Sequence, residues 1–355
     1  MDGTLIQNEV ILGVDTHLDT HVGVVINHQG KVIGTLTSIP TNRAGYLKLL
    51  TWARSLGNIQ RAGVEGTGTY GAGLTRLLRE EGIEVWEINR PDRAKRRLQG
   101  KSDPTDAESA ARAVLSGNAT AVPKSQSGVA EALRMLSVVR RSAVKARTQT
   151  INQLRSLLIS ALDDMRERLW KTKPEQCVAG CARLRKADGS VLLKTLTATL
   201  CLLAKRWLML SAELKELDAT LDHLTSQSAK RLRNQFGVGP QTAAVLIAVA
   251  GDNPERLRNE AALAALCGAS PLQASSGKTI RHRLNRGGDR SANNALWTIA
   301  MVRMRSDEPR TQTYVTRRTA QGMSNKEIQR CLKRYIIREL YPLILADLSD
   351  AATIT

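Results

Sequence analysis

Gly100–Glu108 reads Gly-Lys-Ser-Asp-Pro-Thr-Asp-Ala-Glu and carries two carboxylates, Asp103 and Asp106, three residues apart. Ser102 or Asp103 suits an N-cap, and Pro104 suits the first turn of a helix that runs on to Leu115. The spacing puts both carboxylates on one helix face. Two carboxylates about 4 Å apart repel by about 4 kcal/mol at an effective dielectric of about 20. A cation, a shared proton or solvent must relieve that repulsion. Alone, the pair is also what a capped, solvated helix start looks like. Two further acids change the balance. Asp15 ends the apolar run Val10–Val14, and Glu65 ends the run Arg61–Val64. If both runs are strands of an open α/β sheet, both acids lie where ligand sites gather. Four converging carboxylates suit one or two Mg²⁺ ions, with Mn²⁺ as a substitute, for chemistry on a phosphodiester. Asp19 falls in the turn after the first run and is left out of the set.

A second chemistry-bearing stretch is Ser270–Arg290. Ser275 and Ser276 stand before Gly277, among Lys278, Arg281, Arg283, Arg286 and Arg290, with His282 as a further cation when protonated. A serine hydroxyl is a weak nucleophile until a base, a metal or an oriented phosphate assists it. Ser-Ser-Gly is also ordinary turn chemistry. His282 is a candidate base, although a histidine in a basic strand more commonly touches phosphate or solvent. The arginines and Lys278 suit a phosphate backbone, against the alternative of a solvated basic face. Gly237-Val238-Gly239-Pro240 between helical runs looks like a helix-hairpin-helix turn, where glycine amides at Gly237 and Gly239 can approach a phosphate.

The elements that must hold these residues follow from periodicity. Val10–Val14, His21–Ile26 and Lys31–Ser38 read as a three-stranded meander with a Gly30 hairpin. Helical and extended runs then alternate: Thr41–Leu56, Arg61–Val64, Gly73–Glu81, Ile83–Ile88 and a basic helix Pro91–Leu98. This is a mixed sheet flanked by helices. Val129 to about Leu169 is helical, Pro174–Gly189 interrupts, and Val191–Ser226 resumes with leucines at spacings of three, four and seven. That pattern fits a coiled coil or antiparallel helical arm, a natural dimerisation element, or an ordinary bundle. The last third is mainly helical: Ala261–Cys267, a strand-like Thr279–Leu284, then helices Ser291–Met304 and Lys326–Leu345. The resulting partition is 1–160, 161–229 and 230–355.

The chain of 355 residues has 52 Lys+Arg against 33 Asp+Glu, a formal net charge of +19, spread without a basic tail. A polyanionic partner is expected, with nucleic acid ahead of an anionic membrane surface. Aromatics make up only 3 %, which favours salt-sensitive backbone contacts over base stacking. Five cysteines with no Cys-x-x-Cys pair read as reduced packing residues, and zinc is not expected. No signal sequence or membrane-length apolar run is visible, so a soluble cytoplasmic protein is expected.

Gly13-Val14-Asp15-Thr16, Val64-Glu65-Gly66-Thr67-Gly68-Thr69-Tyr70 and Lys101-Ser102-Asp103-Pro104-Thr105-Asp106-Ala107 resemble the acidic motifs of DEDD-type insertion-sequence transposases, relatives of the Piv DNA invertase. Gly237-Val238-Gly239-Pro240 with Thr242-Ala243, then Gly268, Pro271 and Ser276-Gly277, resemble that family's C-terminal domain. The resemblance covers nearly the whole chain. It implies a RuvC-like (RNase H-fold) α/β domain, a helical coiled-coil arm and a mainly α-helical C-terminal transposase domain. It implies that Asp15, Glu65, Asp103 and Asp106 bind Mg²⁺ and that Ser276, supplied by another protomer, forms a phosphoserine–DNA intermediate on the way to a Holliday-junction-like state. It further implies donor and target DNA, an element-encoded bridge RNA as guide, a tetramer built as a dimer of dimers, and action at the bacterial nucleoid. Two alternatives compete: a RuvC-like nuclease or junction resolvase using water, and a non-catalytic nucleic-acid-binding protein.

Overall fold

The computed structural model describes residues 9–88, 102–185, 188–278 and 282–352. The basic run Pro91–Leu98, Lys101 and Arg281, all singled out above, lie outside the described residues. The chain divides into two compact units, 1–126 and 127–355. Among the described residues no helix is long and apolar enough to cross a membrane.

The first unit is built on a five-stranded sheet in the order β3-β2-β1-β4-β5. The strands are β1 (Glu9–Thr16), β2 (Thr20–Asn27), β3 (Val32–Pro40), β4 (Asn58–Glu65) and β5 (Glu84–Ile88). The expected meander makes the antiparallel half, and β1, β4 and β5 run parallel. This mixed sheet is consistent with the RuvC-like expectation. Alternation along β1 divides it between two faces. Val10, Leu12 and Val14 pack beneath helices α1 (Arg43–Leu56) and α2 (Ala72–Glu80) through Leu49, Leu50, Leu74 and Leu78. Ile11 packs on the opposite face with Val22, Val24 and Ile26 under helix α3 (Asp103–Leu115), through Ala107, Ala111 and Val114.

Helix α3 lies almost directly on the strands because two glycines leave it room. Gly13 on β1 and Gly63 on β4 are register partners. A Cβ at Gly13 would fall 2.0 Å from the Ala107 carbonyl oxygen, and one at Gly63 would fall 2.6 Å from that of Ala110. Both obstacles are backbone and cannot swing aside.

In the second unit, helices α4 (Val129–Ile159) and α7 (Val191–Ser228) run antiparallel. Leu133 shares a core with Leu221, Ala143 with Leu210 and Leu214, and Leu154 with Leu200 and Ala204. Arg140 pairs with Asp218 across them, 2.5 Å from Nε to Oδ1. The helical run expected to about Leu169 stops at Ile159 and restarts as α5 (Asp163–Leu169). The expected interruption contains α6 (Pro174–Ala182), whose Cys177 and Cys181 are buried packing residues. The rest consists of α8 (Lys230–Arg233), α9 (Pro240–Ala250), α10 (Glu260–Leu266), α11 (Arg290–Arg305), α12 (Pro309–Ala320) and α13 (Asn325–Ala352). Helix α9 is apolar on all sides and buried, so it forms the centre of this unit's core. Helix α12 has no counterpart in the sequence reading, because Arg and Thr dominate it and only Thr311 is buried.

Candidate functional site

The two glycines also set which way the acids point. Asp15 follows Gly13 by two residues and Glu65 follows Gly63 by two, so each carboxylate leaves its strand on the face that carries α3. On the helix, Asp103 and Asp106 precede Ala107 and Ala110 by four residues, a single turn N-terminal to the atoms that meet the glycines. This close approach of helix to sheet brings Glu65, Asp103 and Asp106 near enough to act on the charge of Asp15. The helix start is fixed by Ser102, whose hydroxyl accepts from the Thr105 amide at 3.4 Å and thus takes the N-cap role in place of Asp103.

Asp15 and Asp106 are buried, at 5 % and 6 % exposure, and Glu65 and Asp103 are half-buried. Burial is the main influence on Asp15 and pushes its carboxyl up to about 6; His17 opposes this, while Glu65, Asp106 and Asp103 add to it. His17 is a residue the sequence reading passed over. Its Nε2 lies 3.2 Å from Asp15 Oδ2 and 3.4 Å from Asp103 Oδ2. Among the described residues, the buried Asp15 Oδ2 and His17 Nε2 nevertheless lack a hydrogen bond of acceptable geometry. Ligand atoms of Asp15, His17 and Asp103 all lie within 4.8 Å of one another. A buried carboxylate oxygen with no donor, facing other carboxylates, fits a divalent cation. The histidine could have been found from its place two residues beyond Asp15, just past the end of β1. Behind it, the His17 amide donates to His21 Nδ1 at 3.3 Å, and His21 stacks on Tyr46 at 5.6 Å between ring centres. The Thr16 hydroxyl donates to the Glu65 carbonyl at 2.9 Å, tying the two strand ends together.

Because both Cβ contacts are with backbone, Gly63→Ala should push α3 off the strand ends. The expected cost is about 1–3 kcal/mol of stability from overpacking. Any cleavage dependent on the four acids should fall by about 10²-fold for a displacement of about 1 Å. Thermal melting and a cleavage assay on the same preparation check both; an active, fully stable Gly63→Ala would show that the close approach does not matter.

Ser276 belongs to the second unit, so the four acids and the serine are not gathered in one unit. Ser275, Ser276, Gly277 and Lys278 are exposed. They sit in an excursion whose short strands β6 (Leu272–Gln273) and β7 (His282–Arg283) pair antiparallel. The described part of the expected strand Thr279–Leu284 is β7, and β6 was not foreseen. The base of the excursion is closed tightly. The Asp289 amide donates to the Leu266 carbonyl at 2.6 Å. Gly268 and Gly288 have φ of +62° and +79°, and a Cβ on Gly288 would fall 2.4 Å from the Gly268 nitrogen. Asp289 also caps α11 through the Ala292 amide. Arg283, Arg286 and Arg290 are exposed, as is His282.

At the Gly237–Gly239 turn the Val238 amide donates to the Gln235 carbonyl at 3.0 Å, and the Gly239 amide donates to Thr242 Oγ1 at 2.9 Å. The turn is held from outside by Arg303, which donates to the Phe236 carbonyl at 2.9 Å and forms two bonds with Glu339.

Comparison with known proteins finds two matched segments, the first of which crosses the boundary between the two units. A family model for DEDD transposases of the IS110 group, described as a transposase, matches residues 12–163. A second, described as "Transposase IS116/IS110/IS902 family", matches residues 229–316. The chain is also 33 % identical over 114 residues to the "Insertion element IS110 uncharacterized 43.6 kDa protein" of Streptomyces coelicolor, a match covering 32 % of this chain and 28 % of that relative. The acidic motifs fall in the first matched segment and Ser276 in the second, and the two segments together span most of the sequence. The chain belongs to the IS110 family of insertion-element transposases.

Proposed function

We propose that the protein cuts and rejoins DNA as the transposase of an insertion element, using Asp15, Glu65, Asp103 and Asp106 to hold Mg²⁺ (Mn²⁺ as a substitute) and Ser276 as nucleophile. The observation that carries this reading is the buried Asp15 carboxylate at the end of β1, desolvated and acted on by Glu65, Asp106 and Asp103, with ligand atoms of Asp15, His17 and Asp103 within 4.8 Å of one another. A divalent cation bound there supplies charge neutralisation and polarises a phosphodiester. Asp15, Glu65, Asp103 and Asp106 orient it, and His17 sits within reach of two of them. The Ser276 hydroxyl attacks phosphorus, a bond forms from Oγ to phosphorus, and a bridging phosphorus–oxygen bond breaks. The proton of Ser276 passes to a local acceptor and the departing sugar oxygen takes one up. Attack by a hydroxyl of the second DNA end reverses these bond changes and frees the serine, so the exchange needs no external energy source.

The exposed placement of Ser276 on an excursion with a rigid base supports a nucleophile presented to a large substrate. Its assignment to a different unit from the acids suits supply by another protomer, and the helical segment 161–229, whose α7 packs antiparallel to α4, is proposed as the coiled-coil arm that joins protomers into a dimer of dimers. Lys278, Arg283, Arg286 and Arg290 are proposed to hold the phosphate backbone, and Arg281 belongs with them by sequence. Donor and target DNA are the proposed substrates, paired by an element-encoded bridge RNA. The functional partition proposed is 1–160, 161–229 and 230–355. The reading is tested by incubating the purified protein with Mg²⁺, element-end and target DNA, with and without RNA transcribed from the element's flank. Joined products that require both metal and RNA are expected. Products formed equally without RNA would remove the guide from the proposal.

A further inference from the structure

The second unit contains a cavity of about 750 Å³ beside the serine-bearing excursion. Its walls are the Gly268–Pro271 turn, β7, and the facing sides of α12 and α13. Such a volume lies inside the roughly 300–1,000 Å³ range of small-ligand sites. The lining brings together Arg283, Arg318, Arg330, Lys333, Arg334 and Arg338, against Glu327 as its carboxylate.

Several of these cations pair with carboxylates; among the described residues, Arg318 and Lys333 meet neutral groups. Arg334 and Arg338 both pair with Glu260, which is outside the lining, and Arg330 approaches Glu327 at 3.9 Å. Among the described residues Arg318 meets neutral partners, donating to the Tyr314 hydroxyl at 3.2 Å and to Gln321 Oε1 at 2.8 Å. Lys333 is only 7 % exposed and, among the described residues, has no ion pair. Its Nζ donates to Asn293 Oδ1 at 2.9 Å. Asn293 is itself fixed, its Nδ2 donating to the carbonyls of Cys267 at 2.9 Å and Gly268 at 3.1 Å. Burial, and then Arg330, weaken the hold of Lys333 on its proton. A buried ammonium in the wall of a basic cavity, with a neutral amide for its partner, calls for an anion.

The same cavity has an aromatic wall, in a chain with few aromatics. Tyr314 and Tyr335 meet edge to face, with centroids 5.4 Å apart and planes at 71°. Tyr335 stays 51 % exposed, and the Arg338 guanidinium lies 6.0 Å over its ring. A phosphate-seeking interior beside an exposed aromatic face is the combination a nucleotide needs: anion binding for the phosphate and stacking for the base.

We propose that this cavity takes one unstacked nucleotide of a single-stranded nucleic acid, with its phosphate on Lys333 and Arg318 and its base against Tyr335. Asn293 is the positioning residue that holds Lys333 at the Gly268 turn. The occupant rests on the nucleic-acid reading of this protein, but the site needs neither metal nor cleavage. A strand seated here would run beside the excursion that carries Ser276.

The test is binding by fluorescence anisotropy at fixed salt, with full-length protein and short labelled single-stranded DNA, single-stranded RNA and duplex DNA. Tyr335→Ala should weaken single-strand binding about tenfold, the usual weight of one base–aromatic stack, and Tyr335→Phe should restore it. Lys333→Met should weaken it about tenfold or more, with melting unchanged or raised because an uncompensated buried charge is removed. Duplex binding should not change, and Lys205→Met on the exposed face of α7, which removes the same charge, should leave single-strand binding intact. The DNA and RNA arms identify which strand occupies the cavity. Single-strand affinity untouched by both Tyr335→Ala and Lys333→Met overturns the proposal. So does an equal loss on duplex and single strand, which would mean general charge attraction. Loss of recombination in an Asp15 variant with this binding intact would separate the two readings.

Discussion

Asp15→Asn should yield a protein that melts higher without metal and no longer cuts DNA. Asp15 carries its charge at 5 % exposure, facing Glu65, Asp103 and Asp106. Its carboxyl is raised from the ordinary value of 3.8 to about 6, so the folded state takes up the proton more readily than the unfolded chain. The stability cost is therefore absent at pH below the ordinary value, grows between 3.8 and about 6, and is complete above it. A shift of about two units corresponds to about 2–3 kcal/mol at neutral pH. Asparagine keeps the shape and removes the charge. The metal-free variant should gain several degrees at pH 8, and the gain should vanish near pH 4. Mg²⁺ or Mn²⁺ should raise the melting temperature of the wild type and leave that of the variant nearly unchanged. Cleavage should fall by at least about 10³-fold, since one ligand of a charge-stabilising centre is gone. Melting curves across pH, with and without the ion, alongside a cleavage assay, decide the matter. A variant less stable than wild type at every pH would mean that Asp15 is a structural partner rather than a strained ligand.

Ser276→Ala should abolish a covalent protein–DNA adduct while leaving the fold intact. The side chain is exposed, and the surrounding excursion is held by the Asp289–Leu266 backbone bond and the Gly268–Gly288 contact rather than by the serine. Stability should thus change by less than about 0.5 kcal/mol. On a denaturing gel, wild type with metal, both DNAs and RNA should show a retarded protein–DNA band. Ser275→Ala should keep it and Ser276→Ala should lose it, together with joined product. Cleavage without an adduct, unchanged in both serine variants, would favour the alternative in which the acidic centre activates water, as in a nuclease or junction resolvase. The pair of experiments is complementary: the first reads the charge centre of the first unit, and the second reads the nucleophile of the second unit.

Much of the first unit is legible in the sequence because its signals are local. The meander shows in three short apolar runs and a Gly30 turn, and the strand-end positions of Asp15 and Glu65 show where those runs stop. The start of α3 shows in Ser102 and Pro104. Signals weaken wherever packing decides between local options. The long helix breaks at Ser160, and α12 escapes notice because its burial is slight. The two-residue strands β6 and β7 are too short to carry a period at all.

The sequence by itself determined which chemistry was available: four carboxylates at element ends, a serine before a glycine, and an excess of positive charge. It also determined the alternation that sends Asp15 and Glu65 to the same face as the glycines two residues before them. Only the tertiary structure decided that α3 settles on that face, because Gly13 and Gly63 become neighbours through the parallel register of strands far apart in the chain. That contact, rather than any motif, brings Asp103 to His17 and adds Asp103 and Asp106 to the charges felt by Asp15. The cavity around Lys333 is of the same kind. Its lysine, tyrosine and arginines are unremarked in sequence and acquire meaning only when α12, α13 and the Gly268 turn leave a charge largely withdrawn from water. Local sequence sets what each residue can do; desolvation and long-range register set what it must do.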